Sequence, residues 1–568
     1  MRLMSARAGM AGLLIVAVAM CWAGCGGDDT KDEQGLFISV CAPDVDEFPG
    51  LDDPFKSCFF MKICYKKPGE TTLRGCQIVE YDQTGGFPVQ DGVPIGKAIL
   101  ASLPMDEEIS IVAECWDKNP TLAKPEPGNL LAVGQSVPVK RRKKDPILPL
   151  TLYMLRLPSF GPTLHFGGDV PCAYSQSMPF TERWGAAVIE LYDGNILLAG
   201  GVDEFDSACT DWADPGCIEK ASSTAELYMP YNGEFTLVGS EGTSTMSEKR
   251  AFSAIVELPD GRLAIFGGIS ASGAPTASVD LYDPVAYAFT ADVPMANPRA
   301  YHTATVINDY GHVLLVGGFG GEATWEVWLA GQGPVAEGQL GESRWHHTAT
   351  LINKEIDSST KRVEGMVVIA GGEGGGEPGA ATPRATMEIF DIKALAFEQM
   401  LRSLCANEGS GAAAAKKTMH AAAFVPKRHF LYIAGGFRDG KHIEPVKDIC
   451  VWNSTSETWS GETGTFMLKS ERGALTATAL PGNVVLFAGG LTKTGVADTV
   501  EIVFEYVNAD GATVVDIGPA EYPIPMYYPR WAHGAQRTAD GKVLFFGGLT
   551  GTPDSPAMVQ QTEVFNPQ

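Results

Sequence analysis

Six arginines stand at equivalent places along this chain, five of them with aromatic or imidazole side chains close behind. Arg183 is followed by Trp184, Arg250 by Phe252, and Arg299 by Tyr301 and His302. Arg344 precedes Trp345, His346 and His347, and Arg530 precedes Trp531 and His533, while Arg472 stands without an aromatic. At a seventh such place Lys417 and Thr418 replace the arginine, and His420 follows. A guanidinium is a planar fork of donors suited to a carboxylate, and an aromatic plane suits a sugar ring. Collected on one rim, these residues would suit a carboxylate and a sugar ring. Each arginine could instead pair with an acid of the chain itself, and each aromatic could lie in the core. Three imidazoles can hold a metal. His302, His347 and His533 come from segments far apart in sequence, however, so no metal ligand is assigned. No catalytic residue and no cofactor is assigned either, because HExxH, GxSxG and the phosphate-binding loop are all missing. The stretch GGEGGGEPG from Gly371 to Gly379 lacks the Lys-Ser/Thr ending of such a loop and reads as a turn between strands.

The elements that must position these residues form a repeat. Seven apolar runs end in a glycine doublet, beginning at Gly200, Gly267, Gly317, Gly371, Gly435, Gly489 and Gly547. Steps of 50 to 67 residues between them mean a repeat architecture. Four of the arginines lie 17 residues before their doublet and Arg299 lies 18 before; Arg344 lies 27 before, with the insertion NKEIDSSTKR between. Downstream comes an acid with an aromatic two positions on: Glu226 and Tyr228, Asp280 and Tyr282, Glu326 and Trp328, Glu388 and Phe390, Glu563 and Phe565. Cys450 and Trp452 fill that slot in the fifth unit, and Glu505 is the nearest fit in the sixth. Each unit thus offers four short runs separated by turn residues, the pattern of a four-stranded meander. The second run is apolar at nearly every position, so both of its faces must be buried. The doublets mark places where two backbones come too close for a Cβ. The recurring acid is expected to make a hydrogen bond between neighbouring units.

This combination resembles the kelch repeat, with its arginine-led first strand, its second strand ending in Gly-Gly, and a third strand of the E-V-Y-D-P kind. The resemblance covers about residues 160 to 568 and implies an all-β, seven-bladed kelch-type β-propeller. It also implies that the arginines Arg183, Arg250, Arg299, Arg344, Arg472 and Arg530 face the mouth of a central channel. The seventh unit is legible only through its third run, TEVFNP, so residues between about 157 and 180 are expected to supply its outer strand.

The remainder of the chain is of another kind. Arg2 and Arg7, the apolar run from Met10 to Trp22 and the exit Ala23-Gly24-Cys25 read as a signal peptide over residues 1–24. Trp22-Ala23-Gly24-Cys25 resembles a bacterial lipobox, which implies lipidation at Cys25 and a flexible tether over 25–35. Gly26 then implies the outer membrane by resemblance to the sorting rule. Residues 36–156 hold seven short strand-like runs, the pattern of a β-sandwich of immunoglobulin-like or related topology, and 157–568 form the propeller. Ten further cysteines suit an oxidising compartment. Cys209 with Cys217 and Cys405 with Cys450 are disulfide candidates, and Cys172 is expected to pair with the one left over among Cys41, Cys58, Cys64, Cys76 and Cys115. A net charge of −25 argues against nucleic acid, and the single basic run, Lys140 to Lys144, reads as a solvated loop. The expected function is therefore that of a lipid-anchored envelope protein whose propeller binds an envelope protein or a glycan. A sugar-modifying enzyme of the kelch-like mutarotase or copper oxidase kind, and a structural spacer in a surface assembly, are the alternatives.

Overall fold

A computed structural model of the chain describes residues 178–567 apart from 206–217, 231–232, 240–243, 356–362, 377–378, 408–412, 461–465, 508–512, 519–523 and 540. Before these it describes 58–67, 72–80, 104, 107–117, 130–135, 139–140, 149–153, 155–156, 159–166 and 174–176, and the strands at 14–15, 37–41, 89–90 and 93–94. The fold is all-β; the described residues include one single-turn 3₁₀ helix, Pro426–Arg428.

From residue 159 onward, seven antiparallel sheets of four or five strands follow one another among the described residues. The first strands of the sheets touch in cyclic order. Ala187–Glu190 meets Ala254–Glu257, which meets Thr303–Val306, then Thr348–Glu355, Ala421–Val425, Thr476–Leu480 and Gly534–Arg537, and the last of these returns to Ala187–Glu190. The ring is propeller-like, and its joints explain the unbroken apolar runs. Leu197 and Ala199 pack towards the second sheet against Leu263 and Ile265, whereas Ile196 and Leu198 pack the other way against Leu544 and Phe546 of the last sheet. Equivalent clusters fill the other joints, so alternate residues of each second strand serve two different cores.

The seventh sheet closes the ring by joining distant parts of the chain. Its strand order is Ser159–Pro162, Glu563–Asn566, Val543–Phe546, Gly534–Arg537, with Ser159–Pro162 antiparallel to Glu563–Asn566. The outer strand therefore comes from residues ahead of the first unit, as the repeat register requires, and no open edge is left on Glu563–Asn566. Thr163 continues the contact by hydrogen bonding Thr562 through both backbone and side chain.

Ahead of the ring, Leu155–Arg156, Leu130–Gln135, Glu108–Trp116, Phe60–Lys66 and Arg74–Glu80 form one sheet in that order. Phe37–Cys41 pairs in parallel with Pro149–Tyr153 in a second. Six of the seven strand-like runs read from the sequence correspond to these strands; the run at 97–103 lies outside the described residues. Disulfides join Cys58 to Cys115 and Cys64 to Cys76. They leave Cys41 as the fifth cysteine of this region, and its pairing with Cys172 lies outside the described residues, as does Cys209 with Cys217. Asn566 donates its side-chain amide to the Val133 carbonyl at 3.0 Å, which ties this region to the closing strand. Among the described residues no helix is long and apolar enough to cross a membrane.

Candidate functional site

The arginines occupy equivalent positions, but not on an open rim. Arg250, Arg299, Arg344 and Arg530 are fully buried, and Arg183 and Arg472 nearly so. Each is paired with the acid of its own sheet. Arg183 meets Glu226 at 2.8 Å, Arg250 meets Asp280, Arg299 meets Glu326 and Arg344 meets Glu388 at 2.6 Å, Arg472 meets Glu501 at 2.8 Å and Arg530 meets Glu563 at 3.3 Å. The same guanidinium also donates to the carbonyl of the first doublet glycine, as Arg299 does to Gly317 at 2.7 Å. Their terminal nitrogens are engaged within the fold, and the Nε atoms of Arg250, Arg299, Arg344 and Arg472 are buried without a partner, so none of these groups faces an open rim. The expectation of an open arginine rim is corrected by this burial, and a ligand carboxylate would have to displace the chain's own acid to reach these groups.

The acids also hold the incoming loop, accepting a backbone N–H three residues ahead of the arginine, as Asp280 does from Ser247 and Glu326 from Ala296. Their partners lie within their own unit. The link between sheets comes instead from the arginine carbonyl, which accepts the second doublet glycine's N–H of the preceding sheet, Gly268 to Arg299 at 2.9 Å for example. A Cβ on Gly317 would lie 2.2 Å from the Arg344 carbonyl oxygen, and Gly317 has φ +57°, so neither space nor backbone admits another residue. In the sixth unit Glu501, not Glu505, is the pairing acid. It stands opposite Phe487, the register that Glu226 has with Leu198 and Glu326 with Leu315, within a strand long enough to carry two acids.

The fifth unit replaces both partners at once. Cys450 stands where the acid belongs and is bonded to Cys405, and Lys417 stands where the arginine belongs. Lys417 is fully buried and donates to the carbonyls of Gly435 and Asp448, both at 3.1 Å. Burial pushes its ammonium down from 10.5 to about 8, partly offset by Asp448. A folded-state value below the unfolded one means that the unfolded chain holds more protons between pH 8 and 10.5, so this group's contribution to stability rises with pH across that window. Relative to Lys417→Met, the wild-type chain should gain roughly 2 kcal/mol of unfolding free energy between pH 7 and pH 9.5. Urea midpoints at the two pH values measure it, and a difference that does not change with pH would contradict the lowered Lys417 value.

The histidines three residues after the arginine or lysine form latches. His347 Nε2 lies 2.9 Å from Thr303 Oγ1, His420 Nε2 2.9 Å from Thr348 Oγ1, and His533 Nε2 3.0 Å from Thr476 Oγ1, each threonine belonging to the preceding sheet. His302 has no such partner, because the corresponding residue of the preceding sheet is Ala254. Burial first and the adjacent arginine or lysine second hold all four well below the ordinary histidine value, so all are neutral and His347, His420 and His533 join sheets. Trp184 and Trp531 are buried in the apolar cluster at the axis, and Trp345 is buried beside Phe319.

The residues that open onto the axis stand two after the arginine or lysine: Gly185, Phe252, Tyr301, His346, Met419, Ala474 and Ala532. All seven have positive φ, between 47° and 65°. Such a backbone is rare for bulky residues and needs support from its surroundings. Here backbone hydrogen bonds from each residue to its predecessor supply it, running from Gly185 through Phe252, Tyr301, His346, Met419 and Ala474 to Ala532 at 2.7 to 3.3 Å. The ring surrounds an axial cavity of about 310 Å³. One side is an aromatic arc, with successive ring centroids of Trp184, Phe252, Tyr301 and His346 4.9, 4.7 and 4.4 Å apart. The opposite side carries Met419 and the small residues Ala474, Ala532 and Gly185.

His346 is held by a residue that breaks the repeat. After each doublet comes an apolar side chain, Val202, Ile269, Phe319, Phe437, Leu491 or Leu549, except in the fourth unit, where it is Glu373. Glu373 is almost fully buried and accepts from His346 Nδ1 at 2.8 Å and from His442 Nε2 at 2.9 Å. Burial would raise its carboxyl, but the two imidazole hydrogen bonds outweigh that and hold it at about 2. His442 comes from a loop of the fifth unit, in which Asp439 accepts the N–H groups of Ile443 and Glu444. Gly440 lets this loop approach the fourth unit so closely that a Cβ would meet the Ala381 carbonyl. Neither Glu373 nor His442 stands out as a motif. The signal available in the sequence was one acid in a column of seven otherwise apolar residues.

No known protein family and no curated protein matches the sequence. Among solved structures, a novel fungal alcohol oxidase of the AA5 family in complex with copper is similar at 15% identity and a TM-score of 0.47, over 72% of this chain and 76% of that one. A likeness of this degree carries neither a ligand nor a reaction to the present chain.

Proposed function

We propose that this chain is an exported, lipid-anchored envelope protein whose seven sheets are the blades of a kelch-type propeller serving as a binding platform for a glycan or an envelope protein. In this reading residues 1–24 are a signal peptide, Cys25 carries the lipid, 25–35 are a tether, 36–156 a β-sandwich and 157–568 the propeller. The anchor places the platform at the outer membrane. The observation that supports binding is the axial cavity with its one-sided aromatic arc. About 310 Å³ is at the small end of ligand pockets, so the ligand inserts one ring-sized group, a sugar ring or a protein side chain, against Phe252 and Tyr301. Binding is thus assigned to the residues two beyond the arginines. A sugar-modifying enzyme is the second reading, favoured by His346, which lines the cavity and is hydrogen bonded to the buried carboxylate of Glu373.

A glycan array probed with the mature chain tests the platform. Saturable binding that falls at least roughly 10-fold on Phe252→Ala is expected. Binding indifferent to that substitution would remove the cavity from the account, and turnover of a bound sugar would favour the enzyme. Mass spectrometry of the mature amino terminus tests the anchor, for which a diacylated or triacylated Cys25 is the expected result and an unmodified residue the contrary one.

A further inference from the structure

Three departures from the repeat meet at one point. The fourth unit has Glu373 in an otherwise apolar column and His346 where other units have Gly185, Phe252, Tyr301, Met419, Ala474 or Ala532, and the fifth unit's loop brings His442 to the same place. A carboxylate costs several kcal/mol to bury, and an apolar residue serves this position in every other unit. The repeat therefore does not require a carboxylate at this position.

What they share is a donor set. One ring nitrogen of His346, one of His442 and a Glu373 carboxylate oxygen all lie within 4.8 Å of one another. Two imidazoles and one carboxylate are the ligands of catalytic zinc sites and of non-haem iron sites, both of which keep further positions open. Ligand atoms about 2.1 Å from a tetrahedral ion lie roughly 3.4 Å apart, so a contraction on the order of 1 Å brings this set to that geometry. Backbone hydrogen bonds between Trp345 and Glu373, 2.8 and 2.9 Å long, hold the segments carrying His346 and Glu373 side by side.

We propose that His346, Glu373 and His442 bind one divalent first-row transition metal ion, with its open positions facing the axial cavity that His346 lines. Both imidazoles now donate N–H to Glu373. On binding, each moves its proton to its other ring nitrogen or releases it, and the freed lone pair takes the metal. The Glu373 carboxylate, already ionised, exchanges two hydrogen bonds for a metal–oxygen bond.

The test is a calorimetric titration of the full mature chain with Zn²⁺ after chelator treatment, and a parallel titration with Co²⁺ followed by its visible absorption. One ion per chain is expected, with affinity reduced roughly 100-fold or more in both Glu373→Leu and His442→Ala. Glu373→Leu restores the residue type of the other units and should unfold at or above the wild-type urea midpoint, and His442→Ala lies in a loop outside the sheets. No saturable uptake by the wild-type chain, or equal uptake by the wild type and both variants, would overturn the site.

Discussion

Removing residues 560–568 is expected to abolish the single cooperative unfolding transition of the ring. The strand Glu563–Asn566 lies between Ser159–Pro162 and Val543–Phe546, so its loss unpairs a strand on each side. Val564 leaves the joint between the last and first sheets, and Phe565 leaves the joint between the sixth and the last. Arg530, fully buried, would lose Glu563; an uncompensated buried charge costs about 3–5 kcal/mol, and truncation of a buried Phe costs a similar amount. Each exceeds the effect of an ordinary surface deletion, and together they open the ring at the sheet that joins distant parts of the chain. Urea unfolding followed by tryptophan fluorescence should change from one sharp transition to a broad one at lower denaturant. An unchanged transition would show that the ring does not depend on this closure.

The second large effect is expected from Arg299→Met. Glu326 is fully buried and would lose its 2.6 Å partner while still accepting the Ala296 N–H. The cost should be about 3–5 kcal/mol of unfolding free energy, and Arg299→Met combined with Glu326→Gln should recover part of it, because the second change removes the stranded charge. Denaturation midpoints of the two single variants and the double variant measure the coupling. Near-wild-type stability of Arg299→Met would mean that the buried pair is dispensable and would return the arginines to consideration as ligand contacts.

The scaffold was legible in the sequence for a reason these two variants expose. Doublet glycines, arginines and third-strand acids recur because each repeats one local contact, and a contact made six or seven times leaves a period. Closure by residues near 160 followed from counting strands in the last unit. The candidate site was less legible, because the lining of the axial cavity is made of residues that do not repeat. Arginine and tryptophan drew attention as the residues that usually bind, yet a side chain's chemistry does not reveal whether its partner is a ligand or the protein's own Glu326 or Glu388. Two positions further on, the left-handed backbone turns Phe252, Tyr301 and His346 towards the axis, a consequence of φ that no periodicity in residue type announces. Unit five shows the same limit from the other side. Exchanging arginine for Lys417 is intelligible only once Cys450 is seen in place of the acid, since a lysine between carbonyls can approach neutrality where an arginine would stay charged.

On the proposed reading the arginine ring builds the scaffold while the axial cavity binds. That reading is tested most directly by measuring, side by side, glycan affinity and urea midpoint for Tyr301→Ala and Arg299→Met, using the glycan that binds the wild-type chain best on the array. Tyr301→Ala is predicted to lose at least roughly 10-fold in affinity with its midpoint intact, and Arg299→Met to lose stability while its folded fraction binds as the wild type does. The reverse pattern, with affinity lost through Arg299 and untouched by Tyr301, would contradict the account.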